Sequence, residues 1–172
     1  LAEHLPPEGP FGTPRYDAEE LVASLLRQAS RFEEAEQILR TSAERATREL
    51  GPDHARTLST RNALATLYES LGRFPESRET REAVAQDLAR IYGPYHLLTL
   101  HAVSALAVLD RSQGQPLEAV ARFEEVLPAA REVLGSGHHD LLIMENSLGV
   151  AYSEVGRFDE ALETLERAVR GW

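Results

Sequence analysis

Residues 138–140 read His-His-Asp, the one run in the chain that gathers metal-ligating side chains. A zinc site needs three or four ligands converging from defined spacings. Successive residues of a helix point about 100° apart, so His138 and His139 cannot both face one ion from a helix. His138 also belongs to a series, His54, His96 and His138, whose members stand 42 residues apart. A histidine that recurs with its surroundings is first of all part of a joint, and no metal site is expected. Nucleophilic chemistry finds no better support, because no Gly-x-Ser-x-Gly elbow accompanies the serines and histidines. Glu33-Glu34 and Glu124-Glu125 pair carboxylates, but within charged helical runs such neighbours are solvated surface. No glycine-rich phosphate loop follows a strand, since no strand is expected. The reading is a chain without catalytic residues, metal or cofactor, and not an enzyme.

What would position any functional side chain is a repeating element. "LGPDHARTL" at 50–58, "YGPYHLLTL" at 92–100 and the weaker "LGSGHHDLL" at 134–142 share one pattern at a step of 42. Gly51 and Pro52 stop one helix there, and Asp53 is placed to cap the next. A second marker runs in register: "SRFEEAE" (30–36), "GRFPESR" (72–78), "GQPLEAV" (114–120) and "GRFDEAL" (156–162). Counting back 42 from Gly51 reaches Gly9, followed by Pro10. Four repeats follow, at 9–50, 51–92, 93–134 and 135–172, with 1–8 as a linker or the end of a preceding segment. Self-similarity over this length means stacked supersecondary units, each too small to bury its own apolar face. The absent initiator methionine and the stop directly after a helical run suggest a piece of a longer protein.

Within each repeat the pattern is helical. Leu64, Leu67, Tyr68 and Leu71 follow the i, i+3, i+4, i+7 spacing of one buried face, and Val120, Phe123, Val126 and Leu127 continue it in the next repeat. Gly72 can take positive φ and end a helix, and Pro75 fits the first turn of the next. The fold class is therefore all-α, an α-solenoid of four stacked antiparallel helix pairs. The third repeat is irregular. Asp110 stands where Tyr68 and Tyr152 stand, Pro116 replaces a phenylalanine, and Pro128 falls inside the second helix. Pro128 predicts a kink or early termination there.

The charge is −10, from 28 acids against 18 bases, and every one of those bases is arginine. Arginine without lysine points to GC-rich coding and a bacterial source. An acidic chain with no basic run excludes phosphate-tracking contact with nucleic acid by this segment. No apolar run approaches a membrane span, no signal peptide opens the chain, and a cytoplasmic location is the default expectation. Cysteine is absent, so thiolate chemistry is excluded.

Leu64-Ala65-x-x-Tyr68 with Gly72-Arg73-Phe74, and Leu148-Gly149-x-x-Tyr152 with Gly156-Arg157-Phe158, resemble the tetratricopeptide repeat. The 42-residue period resembles the long-helix subtype of kinesin light chains. The resemblance implies a tetratricopeptide superhelix whose first helices line a concave groove for a protein or peptide partner. Carried over position by position, the groove set is Asp17, Glu20, Ser24 and Arg27 in the first repeat and Ser59, Asn62, Thr66 and Glu69 in the second. It continues as His101, Ser104, Val108 and Arg111, then Ile143, Asn146, Val150 and Ser153. Asn62 and Asn146 match the first Asn of the family's Asn-Asn-Leu-Ala stretch, and an amide can both donate to and accept from a peptide backbone. The lysine clamp some members use for a carboxylate has no counterpart here. The implied function is a scaffold or adaptor, with a regulatory segment of a larger bacterial transcriptional or ATP-driven signalling protein as the alternative. The last helix, near Asp159–Arg170, carries Leu162, Val169 and then Trp172 on more than one side, so self-association through an uncapped C-terminal face is also expected.

Overall fold

The computed structural model describes residues 14–171. Gly9 and Pro10, the expected linker over 1–8 and Trp172 lie outside the described residues. Eight helices account for most of what is described: α1 (Pro14–Gln28), α2 (Phe32–Leu50), α3 (Ala55–Ser70), α4 (Phe74–Tyr92), α5 (Leu97–Ser112), α6 (Pro116–Leu134), α7 (His139–Glu154) and α8 (Phe158–Gly171). No strand occurs among the described residues, and the class is all-α, as expected. The chain divides into two compact units at Val84 and Ala85, inside α4.

The recurring histidine is a helix cap. His54, His96 and His138 each hold extended backbone ahead of α3, α5 and α7. The Nδ1 atom of each accepts the backbone N–H two residues on, from Arg56 at 3.1 Å, Leu98 at 3.3 Å and Asp140 at 3.2 Å. Each cap thus satisfies one of the donors a helix start leaves open. The cap expected from Asp53 is corrected accordingly: the N-cap position is one residue later. Thr57 and Thr99 tighten the first two joints by donating to the Gly51 and Gly93 carbonyls, both at 2.8 Å. Leu141 stands at the third position, which explains the weaker third echo.

Within each pair, a three-residue turn folds the chain back. In the α3–α4 turn Gly72 takes φ 70°, and the Arg73 N–H reaches the Tyr68 carbonyl at 2.8 Å. The α5–α6 and α7–α8 turns repeat this geometry, with Gly114 at φ 74° and Gly156 at φ 80°. In the α1–α2 turn the same place is held by Ser30 at φ 60°, the one described non-glycine residue in that region.

In the first unit the core gathers Ala23, Ala35, Leu39 and Leu67, with Leu64 and Leu71 half-buried against it. In the second, Val120, Phe123, Val126 and Leu127 from α6 meet Leu141, Met144 and Leu148 from α7. Gly149 lets α7 approach α8, since a Cβ there would stand 2.5 Å from Leu165 Cγ.

The irregular third repeat is accommodated rather than broken. Asp110 is fully buried in the tyrosine's place and accepts from Arg122 Nε at 2.6 Å. Pro116 starts α6, where its missing N–H costs nothing. The expected early termination at Pro128 does not occur: α6 runs on to Leu134. Pro128 and Glu124 are both exposed, so water can reach the Glu124 carbonyl that the proline deprives of a donor.

Candidate partner-binding face

The sixteen groove positions fall on the first helix of each pair, and none of them is fully buried. In the first unit, α1 and α3 are laced together along this face. Arg56 pairs with Asp17 at 2.5 Å, Thr60 Oγ1 donates to Glu20 at 2.9 Å, and Arg27 Nη1 donates to Ser70 Oγ at 3.5 Å. Ser59 Oγ also lies 3.4 Å from both Glu20 oxygens.

Asn62, Thr66 and Glu69 come together around a residue that sequence reasoning missed. Arg81, on α4, is buried and reaches under the face. Its Nη1 donates to Asn62 Oδ1 at 2.6 Å, its Nη2 to Thr66 Oγ1 at 3.1 Å, and its Nε to Glu69 at 2.6 Å. Ser77 Oγ completes the network by donating to Glu69 at 2.8 Å. The signal lay in the register: Leu39, Phe123 and Leu165 hold the same position in the other three repeats. An arginine among large apolar residues marks a polar network, because a charge is buried only when paired.

In the second unit, α5 and α7 are joined at both ends of the face. His101 Nε2 lies 3.2 Å from Asp140 Oδ2, and Arg111 Nη1 donates to Glu154 at 3.0 Å. The Arg111–Glu154 link stands in register with Arg27–Ser70, two steps of 42 upstream. Between these ends the face is different from the first. Val108 and Ile143 are exposed, Val150 is half-buried beside them, and Ser104, Asn146 and Ser153 supply the polar positions. Position 123, which holds arginine's counterpart, is the fully buried Phe123 and sends nothing polar up to this face. Asn62 and Asn146, equivalent in sequence, are therefore inequivalent in chemistry: the Asn62 oxygen is occupied from beneath, while Asn146 makes no side-chain bond within the described chain.

The Tyr68 and Tyr152 rings sit at the ends of α3 and α7, each covered by an arginine guanidinium 4.4 Å from the ring centre, Arg73 and Arg157 respectively. Tyr152 donates to Glu124 at 2.8 Å, and burial together with that carboxylate pushes its phenol up to about 12. No group of three or more histidines, cysteines or carboxylates that could hold a metal ion exists among the described residues. No described helix is long and apolar enough to cross a membrane.

Helix pairs recurring at one step and joined by one turn type define a repeat protein of the kind that presents surfaces to other proteins. A tetratricopeptide repeat family model matches residues 16–83, 62–132 and 102–172, and the chain belongs to that family. Among solved structures it is similar to the kinesin light chain-type, nearly identical repeats of Podosopora anserina. One of these crystal structures is 28% identical, with 91% of this chain and 74% of that one covered and a TM-score of 0.78. A second is 27% identical over 95% and 76%, again with a TM-score of 0.78. BtubC (BKLC) from P. vanneervenii shares the fold at 21% identity and a TM-score of 0.78, covering 99% of this chain and 67% of that one. No curated protein matches the chain.

Proposed function

We propose that the chain is a non-catalytic scaffold or adaptor that holds an extended or helical peptide of a partner protein against the first helices, in repeats at 9–50, 51–92, 93–134 and 135–172. The observation that supports this most directly is the face of α5 and α7. Val108 and Ile143 expose apolar surface there, with Asn146 exposed beside them and its amide making no bond among the described residues. Exposed apolar side chains flanked by polar groups suit a peptide, whose backbone needs donors and acceptors while its side chains need somewhere dry. The face of α1 and α3 complements it as a polar, partly acidic surface carrying Glu20, Ser59 and Glu69. A peptide with apolar side chains fits the surface of the second unit, and one with hydroxyl, amide or basic groups fits that of the first. The outward side of α8 is a separate contact surface, and self-association belongs there.

The test is selection of peptides on the immobilised chain from a display library, followed by titration against variants. Ile143→Asp should weaken a selected peptide about tenfold or more, and Asn146→Ala should cost roughly 0.5–1.5 kcal/mol of binding. Selected peptides that bind the Ile143→Asp chain as tightly as the parent would refute this placement.

A further inference from the structure

The repeat register allows an interior contact to be compared with the two faces that no described helix covers. Within the second unit, α6 presents Val120, Glu124 and Leu127 to α7 and the α7–α8 turn. Val120 and Leu127 are 3% and 1% exposed. Glu124 accepts from Tyr152 at 2.8 Å and from Arg157 Nη1 at 2.9 Å. One step of 42 later, α8 carries Leu162, Glu166 and Val169 in the same places. Leu162 and Val169 are 61% and 73% exposed.

The receiving side recurs as well. The face that accepts α6 includes Met144 and Leu148, both buried, and Glu145, which pairs with Arg131 of α6 at 2.9 Å. Three steps upstream these positions are Ala18, Val22 and Glu19. There they line an open cleft of about 440 Å³ between α1 and α2, and Val22 is 45% exposed. The arginine that anchors the interior contact is also repeated. Arg73 and Arg157 each keep Nε on a glutamate of their own turn, Glu76 and Glu160, and send Nη1 back to a preceding helix, to Glu36 and Glu124. Arg31 binds Glu34 through Nε and Nη2, and its Nη1 makes no bond among the described residues.

We propose that α8 of one copy docks into the α1–α2 cleft of a second copy, head to tail, with Leu162 and Val169 entering the cleft and Glu166 pairing with Arg31. The contact continues the repeat, so Leu162 and Val169 stand in register with the α6 residues that α7 already receives, and the Glu166–Arg31 pair supplies the charge match. Because the two surfaces differ, the contact is heterologous, and each copy offers one α8 face and one cleft to its neighbours. Assembly should grow with concentration past the dimer.

Sedimentation velocity of the 172-residue chain from micromolar to millimolar concentration, with two single-face variants, tests this. Leu162→Asp disables the α8 face and Val22→Asp disables the cleft. Each alone should self-associate about tenfold more weakly or less than that, because every copy lacks one half of the contact. An equimolar mixture should form a heterodimer and stop there, since one live α8 meets one live cleft. Glu166→Arg and Arg31→Glu should each weaken association and restore it when mixed. Circular dichroism confirms folding of every variant, all four sites being at least partly exposed. A monomer throughout the range overturns the proposal, as expected if further repeats or residues 1–13 cover these faces instead. Association that survives Val22→Asp but not Leu162→Asp also overturns it, by pointing to an α8–α8 contact.

Discussion

Replacing Arg81 by leucine tests whether the polar network beneath the α3 face carries stability or merely decorates it. The substitution gives the second repeat the apolar residue that its register neighbours Leu39 and Leu165 already use. Three hydrogen bonds are lost, two of them at 2.6 Å, and Glu69 is left with Ser77 as its remaining donor. Breaking one side of a fully buried ion pair costs about 3–5 kcal/mol. The Glu69 side chain is 29% exposed, so water recovers part of its hydration, and the expected loss is about 2–3 kcal/mol. For a chain of this length that lowers the melting temperature by about 4–12 °C. The sharper test is the double variant Arg81→Leu with Glu69→Ser, which copies the Leu165 and Ser153 found two repeats later. With the orphaned carboxylate gone, at least about 1 kcal/mol should return, a non-additivity that only residues in contact show. Urea titration followed by far-UV circular dichroism measures all three chains. A single variant within about 0.5 kcal/mol of the parent, or a double variant no better than the single, would refute the reasoning.

Three further outcomes follow from the joints and turns. His96→Ala removes the Nδ1 acceptor at the start of α5 and should destabilise by about 0.5–2 kcal/mol, whereas His96→Asn should restore most of it; urea midpoints decide. Ser30→Gly should stabilise by roughly 0.5–1 kcal/mol, because the left-handed backbone at φ 60° costs serine more than glycine; a lower melting temperature would contradict this. The Tyr152 phenol, raised from 10.0 to about 12, favours the folded chain as long as the unfolded phenol is still protonated. Above pH 10 the unfolded phenol ionises first, so this contribution of about 2 kcal/mol is lost as pH climbs through about 12, and Tyr152→Phe should flatten that limb of a stability–pH curve.

Fold class and helix periodicity were legible because they rest on spacing, and spacing survives substitution. Gly51, Gly93 and Gly135 kept their 42-residue step, and each sits at positive φ at a helix end. The capping histidines were visible as repeats but not as caps. Histidine is an uncommon capping residue, and Asp53 beside it is a favoured one. That the sixteen carried-over positions stand on first helices was readable through family resemblance. Their chemistry was not, because it depends on what lies beneath: the Arg81 guanidinium engages Asn62 from another helix, nineteen positions along the chain. The early termination expected at Pro128 fails for a related reason. A proline inside a helix is costly when the carbonyl it orphans is buried, and burial is a property of the packed structure rather than of the residue.

Departures from the register therefore carry more information than its regularities. Asp110 in a tyrosine's place is matched by Arg122, and Arg81 in a leucine's place by Glu69, so each buried charge arrives with its counter-charge. Both pairs link the first helix of a repeat to its second, the contact that sets the tilt of the exposed face. The two differ in how much of that face they occupy. Arg122 holds Asp110, which is fully buried, and leaves Val108 and the neighbouring surface open. Arg81 takes up Asn62, Thr66 and Glu69, all of which stand on the face itself. A peptide meeting the second unit between its two end pairs would displace water from Val108, Ile143 and a few small polar side chains. Meeting the first, it has to add to or compete with bonds already made, which favours groups that can donate to Glu20 or Glu69 without breaking them. A peptide held on α5 and α7 should then gain affinity mainly from apolar contact, and one held on α1 and α3 should be selected mainly by the donors it carries.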